Sequence, residues 1–198
     1  MESPVHDTPL ELLLIRHGES SYNRDGSGGF DSDLTDVGIE QSRRLAPWLV
    51  ANFKFVAIYS SPMVRSRRTA EIAAADLSLP VQFREDLREV DFELGPLLPD
   101  FANPVDALTC EPHLHPPKPA AYADFEDRVT KAFCEIIKEN NNGTILVFTH
   151  GGVIATFLRT VFGAHQVSIY ADNTSAVLLR WRNARWYLVY SNRVEHLL

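Results

Sequence analysis

The sequence has only two cysteines among 198 residues, Cys110 and Cys134. Two thiols cannot build a disulfide framework, which speaks for a reducing compartment. Long apolar runs are missing too. The run from Leu12 to Ile15 is far too short for a leader or a membrane span, and the N-terminus carries no basic region. Positive charge is in deficit: 19 Lys and Arg stand against 26 Asp and Glu, a formal charge of −7. Such a field repels nucleic acid and anionic membranes, so neither is expected as a partner. A small anionic substrate held by a local basic cluster is still allowed. The expectation is a soluble, cytoplasmic protein, with its oligomeric state left open.

Several catalytic signatures are absent as well. There is no G-x-S-x-G, no G-x-x-x-x-G-K-[ST] and no G-x-G-x-x-G. The glycine-rich stretch Asp25 to Asp33 is acidic, which suits a mobile connection better than a phosphate cradle.

What is present is ordinary globular composition, 45% hydrophobic and 23% charged. The length suits one domain over residues 1–198. Strand-like and helix-like segments alternate. ELLLIR (11–16), FVAIYS (55–60) and TILVFT (144–149) read as buried strands, with VQF (81–83) as a short fourth. Thr35 can cap a helix whose apolar positions Val37, Leu45, Trp48 and Leu49 fall largely on one side. Ser61-Pro62 suits the start of a helix carrying Met63 through Ala75. Tyr122, Phe125, Val129, Ala132, Phe133 and Ile136 repeat at helical spacing, and another helix follows Gly151. AVLLRW (176–181) and RWYLVY (185–190) read as a hairpin joined by Arg182, Asn183 and Ala184. This alternation predicts an α/β fold, a largely parallel sheet covered on both faces with an antiparallel edge. Seven of the twelve prolines lie between residues 96 and 119. The stretch from about 95 to 120 is expected to be a rigid, irregular insertion rather than a second domain.

Ligands of open α/β sheets bind outside the carboxyl ends of the strands. There the sequence places Arg16-His17-Gly18-Glu19, Ser60-Ser61 and Thr149-His150-Gly151-Gly152, with Arg65 one helical turn past Pro62. Two histidines and two arginines would gather at one edge, beside glycines that let backbone N–H groups approach a ligand. A lone histidine at a strand end is more often structural than catalytic; the convergence of separate segments argues otherwise here. Arg65, Arg68 and Thr69 share a helix face by spacing, so spacing leaves open which arginine points inward. Arg67 and Arg68 read as a solvated face. His6, His113, His115, His165 and His196 read as surface or structural.

A zinc site from the two histidines and Glu89 is the main rival. Arg16 beside one ligand would set a fixed cation against a dication, whereas a phosphate dianion wants both arginines. Each, about 4 Å away, contributes up to roughly 4 kcal/mol at an effective dielectric of 20. No metal and no cofactor are therefore expected.

LLLIRHGESSYN (12–23) resembles the signature of the histidine phosphatase superfamily, also called phosphoglycerate mutase-like. LTDVGIEQ (34–41), YSSPMVRSRRTAE (59–71), LREVDF (87–92), ILVFTHGGVI (145–154) and NTSAVLL (173–179) continue the resemblance in order across nearly the whole chain. The resemblance implies a three-layer αβα sandwich and a metal-independent phosphomonoester hydrolase. It implies that His17 becomes phosphohistidine, and that Arg16, Arg65 and His150 bind the phosphoryl oxygens with Asn23 and the Gly151 backbone assisting. Glu89 would protonate the leaving alkoxide, although Asp91 and Glu93 would share its face were the segment extended.

Three departures touch substrate-contacting surfaces. No R-x-Q-G segment precedes the LT motif, Glu93-Leu94-Gly95-Pro96 replaces the usual glycine and aromatic-Glu-Gly, and Ala120-Ala121 replaces a Glu-Ser pair. The sparse insertion suggests an open pocket for small phosphorylated metabolites. A mutase is the runner-up, and a phospholigand-binding protein without catalysis stands third.

Overall fold

In the computed structural model, which describes residues 9–109 and 118–198, the apolar runs become strands of one six-stranded sheet. His6, Cys110, His113 and His115 lie outside the described residues. The strands are β1 (Leu10–Arg16), β2 (Phe55–Ser60), β3 (Val81–Phe83), β4 (Gly143–Thr149), β5 (Ala176–Arg182) and β6 (Arg185–Arg193). Their order is β3-β2-β4-β1-β5-β6. The first four run parallel, while β5 is antiparallel to β1 and β6 to β5.

Side chains alternate across the sheet, as strand geometry requires. Leu12, Leu14, Ile145 and Val147 join one core, and Leu13, Ile15, Leu146 and Phe148 the other. Both faces are therefore covered, which explains why these strands read as unbroken apolar runs. The helices are α1 (Ser21–Asp25), α2 (Asp36–Asn52), α3 (Val64–Ala73), α4 (Pro104–Thr109), α5 (Ala120–Glu139) and α6 (Gly151–Phe162). Leu45 and Leu49 of α2 pack with Ala70 and Ala73 of α3 on one side of the sheet. Phe125 and Phe133 of α5 pack with Val153 and Phe157 of α6 on the other. The result is the expected αβα sandwich with an antiparallel edge. No helix among the described residues is long and apolar enough to cross a membrane.

The structure corrects several local expectations. Pro62 does not open α3; the helix starts at Val64, whose N–H donates to Asp31 Oδ1 at 2.8 Å. The cap thus comes from a side chain 33 positions upstream. Val37, expected to face the core, is 54% exposed, because the first turn of α2 turns Gly38 inward instead. Arg182 belongs to β5 and pairs with Arg185. That leaves Asn183 and Ala184 as a two-residue turn with φ of 52° and 56°, the left-handed values that match a right-twisted hairpin. The proline-rich stretch is not irregular throughout, since it contains a single helical turn at Gly95–Leu97 as well as α4.

The β1–β4 register sets Arg16 opposite Thr149, and the β2–β4 register sets Ser60 opposite Phe148. His17, His150 and Ser61 therefore emerge at the same edge, where β4 slots between β1 and β2.

Candidate active site

The loop after β1 is fixed from several sides. The His17 N–H donates to Thr149 O, and its carbonyl accepts from Asn173 Nδ2 and the Thr174 N–H. Thr174 holds a left-handed φ of 57°, unusual for a β-branched residue, and its backbone is what reaches the His17 carbonyl. The next residues close onto the start of α2. A Cβ on Gly18 would stand 2.6 Å from Gly38 O, and one on Gly38 would stand 2.0 Å from Glu19 O. Thr35 Oγ1 donates to Glu19 Oε1, and the Glu19 N–H donates to Gln41 Oε1. The LTDVGIEQ segment is thus the seat of the loop that carries His17.

His17 is buried. Its Nδ1 lies 2.7 Å from Gly18 O, so Nδ1 carries the proton and Nε2 keeps its lone pair. Arg65 Nε donates to that Nε2 at 3.0 Å. Burial, then the charges of Arg65 and Arg16, hold the imidazole pKa well below its ordinary value; the bond to Gly18 opposes them. A neutral imidazole with one aimed lone pair is a nucleophile.

Arg65 answers the question that spacing left open. It is 2% exposed and turned inward, whereas the Arg67 and Arg68 side chains are exposed. Its Nη1 donates to Phe30 O, and its guanidinium sits 5.3 Å from the Phe30 ring centre. Thr69 ties α3 to the loop, accepting from the Gly18 N–H and donating to Arg65 O. The glycine-rich stretch is therefore anchored on α3 through Phe30 and Asp31, a correction to the mobile connection expected.

His150 is fully buried, its ring centre 5.1 Å from that of His17. Its Nε2 meets Ser61 Oγ at 2.8 Å, and Ser61 Oγ already accepts the Met63 N–H. Ser61 can donate to Nε2, which puts the imidazole proton on Nδ1, an atom with no hydrogen-bond partner among the described residues. Burial first, then His17, Arg65 and Arg16, push this imidazole pKa well down too. Arg16 donates through Nη1 to Ala171 O, while its buried Nε lacks a partner among the described residues. Gly151 lies against that guanidinium, where a Cβ would stand 3.6 Å from Nε. Asn23 is exposed at the mouth, its Oδ1 accepting from Ser20 Oγ.

Residues 88–93 are not a strand, so Glu89, Asp91 and Glu93 do not share an environment. Leu87 is buried, and its carbonyl accepts from Thr149 Oγ1; Arg128 of α5 donates to the Asp86 and Arg88 carbonyls. This holds Glu89 inward at the start of α6, where its Oε2 accepts the Gly152 N–H at 2.8 Å. Burial raises its pKa, against the Gly152 and Val90 N–H groups, Arg65 and Arg16. Asp91 and Glu93 stay exposed.

Arg16, His17, Asn23, Arg65, Glu89 and Gly151 line one cleft of about 350 Å³. Tyr22, Phe30, Phe92, Ile169 and Tyr170 also line it. Tyr22 and Phe92 lie inside the LLLIRHGESSYN and LREVDF motifs without having been singled out, and no motif or periodicity marks Phe30, Ile169 or Tyr170. The zinc geometry does not assemble. Arg65 occupies the His17 lone pair, backbone N–H groups take Glu89, and no metal-binding group of three His, Cys, Asp or Glu forms among the described residues.

The cleft thus brings together one neutral imidazole, two arginines and a carboxyl of raised pKa at the sheet edge, with His150 not among its lining residues but buried against His17, and these are groups that phosphoryl transfer can use. Residues 12–194 match the model of the histidine phosphatase superfamily (branch 1), and the chain belongs to that superfamily. It is similar to a metal-independent phosphoserine phosphatase of Arabidopsis thaliana, 28% identical over 98% of this chain and 85% of the relative. It is 30% identical to the adenosylcobalamin/alpha-ribazole phosphatase of Escherichia coli, over 78% and 80% of the two chains. Among solved structures, a mutant phosphoserine phosphatase of Entamoeba histolytica in complex with phosphoserine superposes with a TM-score of 0.70. The pair is 27% identical and covers 96% of this chain and 100% of the other. The chain is accordingly a phosphatase of the kind that works through phosphohistidine.

Proposed function

We propose that His17 is the residue phosphorylated and that the substrates are small phosphomonoesters. The observation that carries this is the fixed tautomer: Nδ1–H is tied to Gly18 O, which leaves Nε2 facing the Arg65 guanidinium. A phosphoryl group entering between the two draws Arg65 onto its own oxygens and frees the lone pair.

Arg16 Nε and His150 Nδ1–H, two buried donors without a partner among the described residues, take further phosphoryl oxygens, with Asn23 and the Gly151 backbone at the margin. Nε2 attacks phosphorus as the ester P–O bond breaks, and Glu89 gives its proton to the departing oxygen. Water then attacks the phosphohistidine, Glu89 takes a proton from it, and the P–N bond breaks. The cations stabilise the equatorial oxygens in both steps. We read residues 1–198 as one histidine phosphatase domain, which a single sheet from β1 to β6 supports. The exposed free thiol of Cys134 suits the cytoplasm.

The test is phosphate release across a panel of phosphorylated metabolites, with a mutase assay in parallel. Hydrolysis that outpaces phosphoryl exchange between monophosphoglycerates is the expected result. Exchange without net hydrolysis would make the chain a mutase, and binding without either would make it a phospholigand receptor.

A further inference from the structure

The cleft lining carries both signs of charge. Arg16 and Arg65 are its only cationic lining residues among those described. Asp91 and Glu93 line the same cleft, exposed. Arg88, the nearest cation in sequence, pairs with Glu85 instead. Aromatic rings left open to solvent share that lining: Tyr22 is 42% exposed, Phe92 37% and Tyr170 72%. Rings exposed together at the mouth of a cleft mark a binding surface, and their faces attract cations.

The geometry points to a substrate whose alcohol half carries an ammonium group and no second anionic group. This rests on the phosphatase reading and narrows it. The phosphoryl dianion sits on the arginines, and the ammonium is attracted by the Asp91 and Glu93 carboxylates and the exposed aromatic rings. A carboxylate in that position would meet two like charges and no further cation. A phosphorylated amino alcohol fits this lining, a phosphorylated hydroxy acid is disfavoured by it, and a phosphorylated amino acid falls between.

Three two-carbon esters that differ only at the far end test it: O-phosphoethanolamine, ethylene glycol monophosphate and phosphoglycolate. The wild-type enzyme should prefer them in that order by kcat/KM. The first should exceed the second by about tenfold, the scale of two solvent-exposed charge pairs, and the gap should shrink in 0.5 M salt. In the Asp91→Asn, Glu93→Gln double variant the ratio of amine to carboxylate should fall toward one. Equal or better turnover of phosphoglycolate by the wild type overturns the assignment, and so does a ratio that survives in the double variant. Either result leaves the phosphatase reading intact. Failure to release phosphate from all three and from p-nitrophenyl phosphate would overturn that reading as well.

Discussion

Gly152 donates its N–H to Glu89 Oε2 at 2.8 Å, and a Cβ on Gly152 would stand 2.4 Å from Glu89 Oε1. The glycine both holds the carboxyl and leaves the space it occupies. Glu89→Gln removes the proton donor we propose; Gly152→Ala displaces it. Both should lower kcat on an alkyl phosphate by about 10²–10⁴-fold, the usual contribution of a general acid. Both should largely spare p-nitrophenyl phosphate, whose leaving anion needs almost no proton. Asp91→Asn and Glu93→Gln should show no such dependence on the leaving group when the alkyl phosphate is the uncharged-tail ester ethylene glycol monophosphate. If the selective loss appears at either of those, the acid is misassigned while the His17 chemistry stands.

That carboxyl also marks how far the sequence could be read. The αβα layering was legible because strands buried on both faces leave unbroken apolar runs, and His17 and His150 follow directly from where β1 and β4 end. Choosing among Glu89, Asp91 and Glu93 was not possible from alternation, because the segment is bent rather than extended. Its course is set by Thr149 and Arg128, far away in the chain. The choice between Arg65 and Arg68 was hidden for the same reason. It is made by Phe30 and Asp31, in a stretch that composition presents as a loose acidic connection.

The second prediction concerns the intermediate. With ³²P-labelled substrate and an alkaline quench, the enzyme should retain an alkali-stable, acid-labile label on His17. His17→Ala should abolish it. Label that persists in that variant, or maps to a serine or cysteine, would sink the phosphohistidine mechanism.

Arg65 Nε–H fills the His17 lone pair that a metal would need. Activity should therefore survive exhaustive chelation. Vanadate, which adopts the five-coordinate geometry of the transition state, should inhibit well below substrate KM. Activity lost in EDTA and restored by zinc or magnesium would reinstate the metal-site reading.

The last prediction follows from burying His17 and His150 neutral. In the unfolded chain both titrate near the ordinary imidazole pKa of about 6.5. In the folded chain both lie well below it. Below pH 6.5 the unfolded state thus binds more protons, so this stability is present above 6.5 and is lost as pH falls. Each group contributes at most about 1.4 kcal/mol per pH unit over the range in which only the unfolded chain is protonated. His196, pushed down to about 4 by burial beside Trp48, acts in the same direction. Glu89 acts in the opposite one. Its folded pKa is raised, so its contribution is present below the unfolded carboxyl pKa and is lost as pH rises through the folded value. Urea unfolding should therefore show stability falling steadily from pH 7 to 5. His150→Gln should flatten that slope by about half, and Glu89→Gln should steepen it toward the acid end. A slope indifferent to His150→Gln would mean that His150 is charged in the folded protein and does not serve as the neutral donor described above.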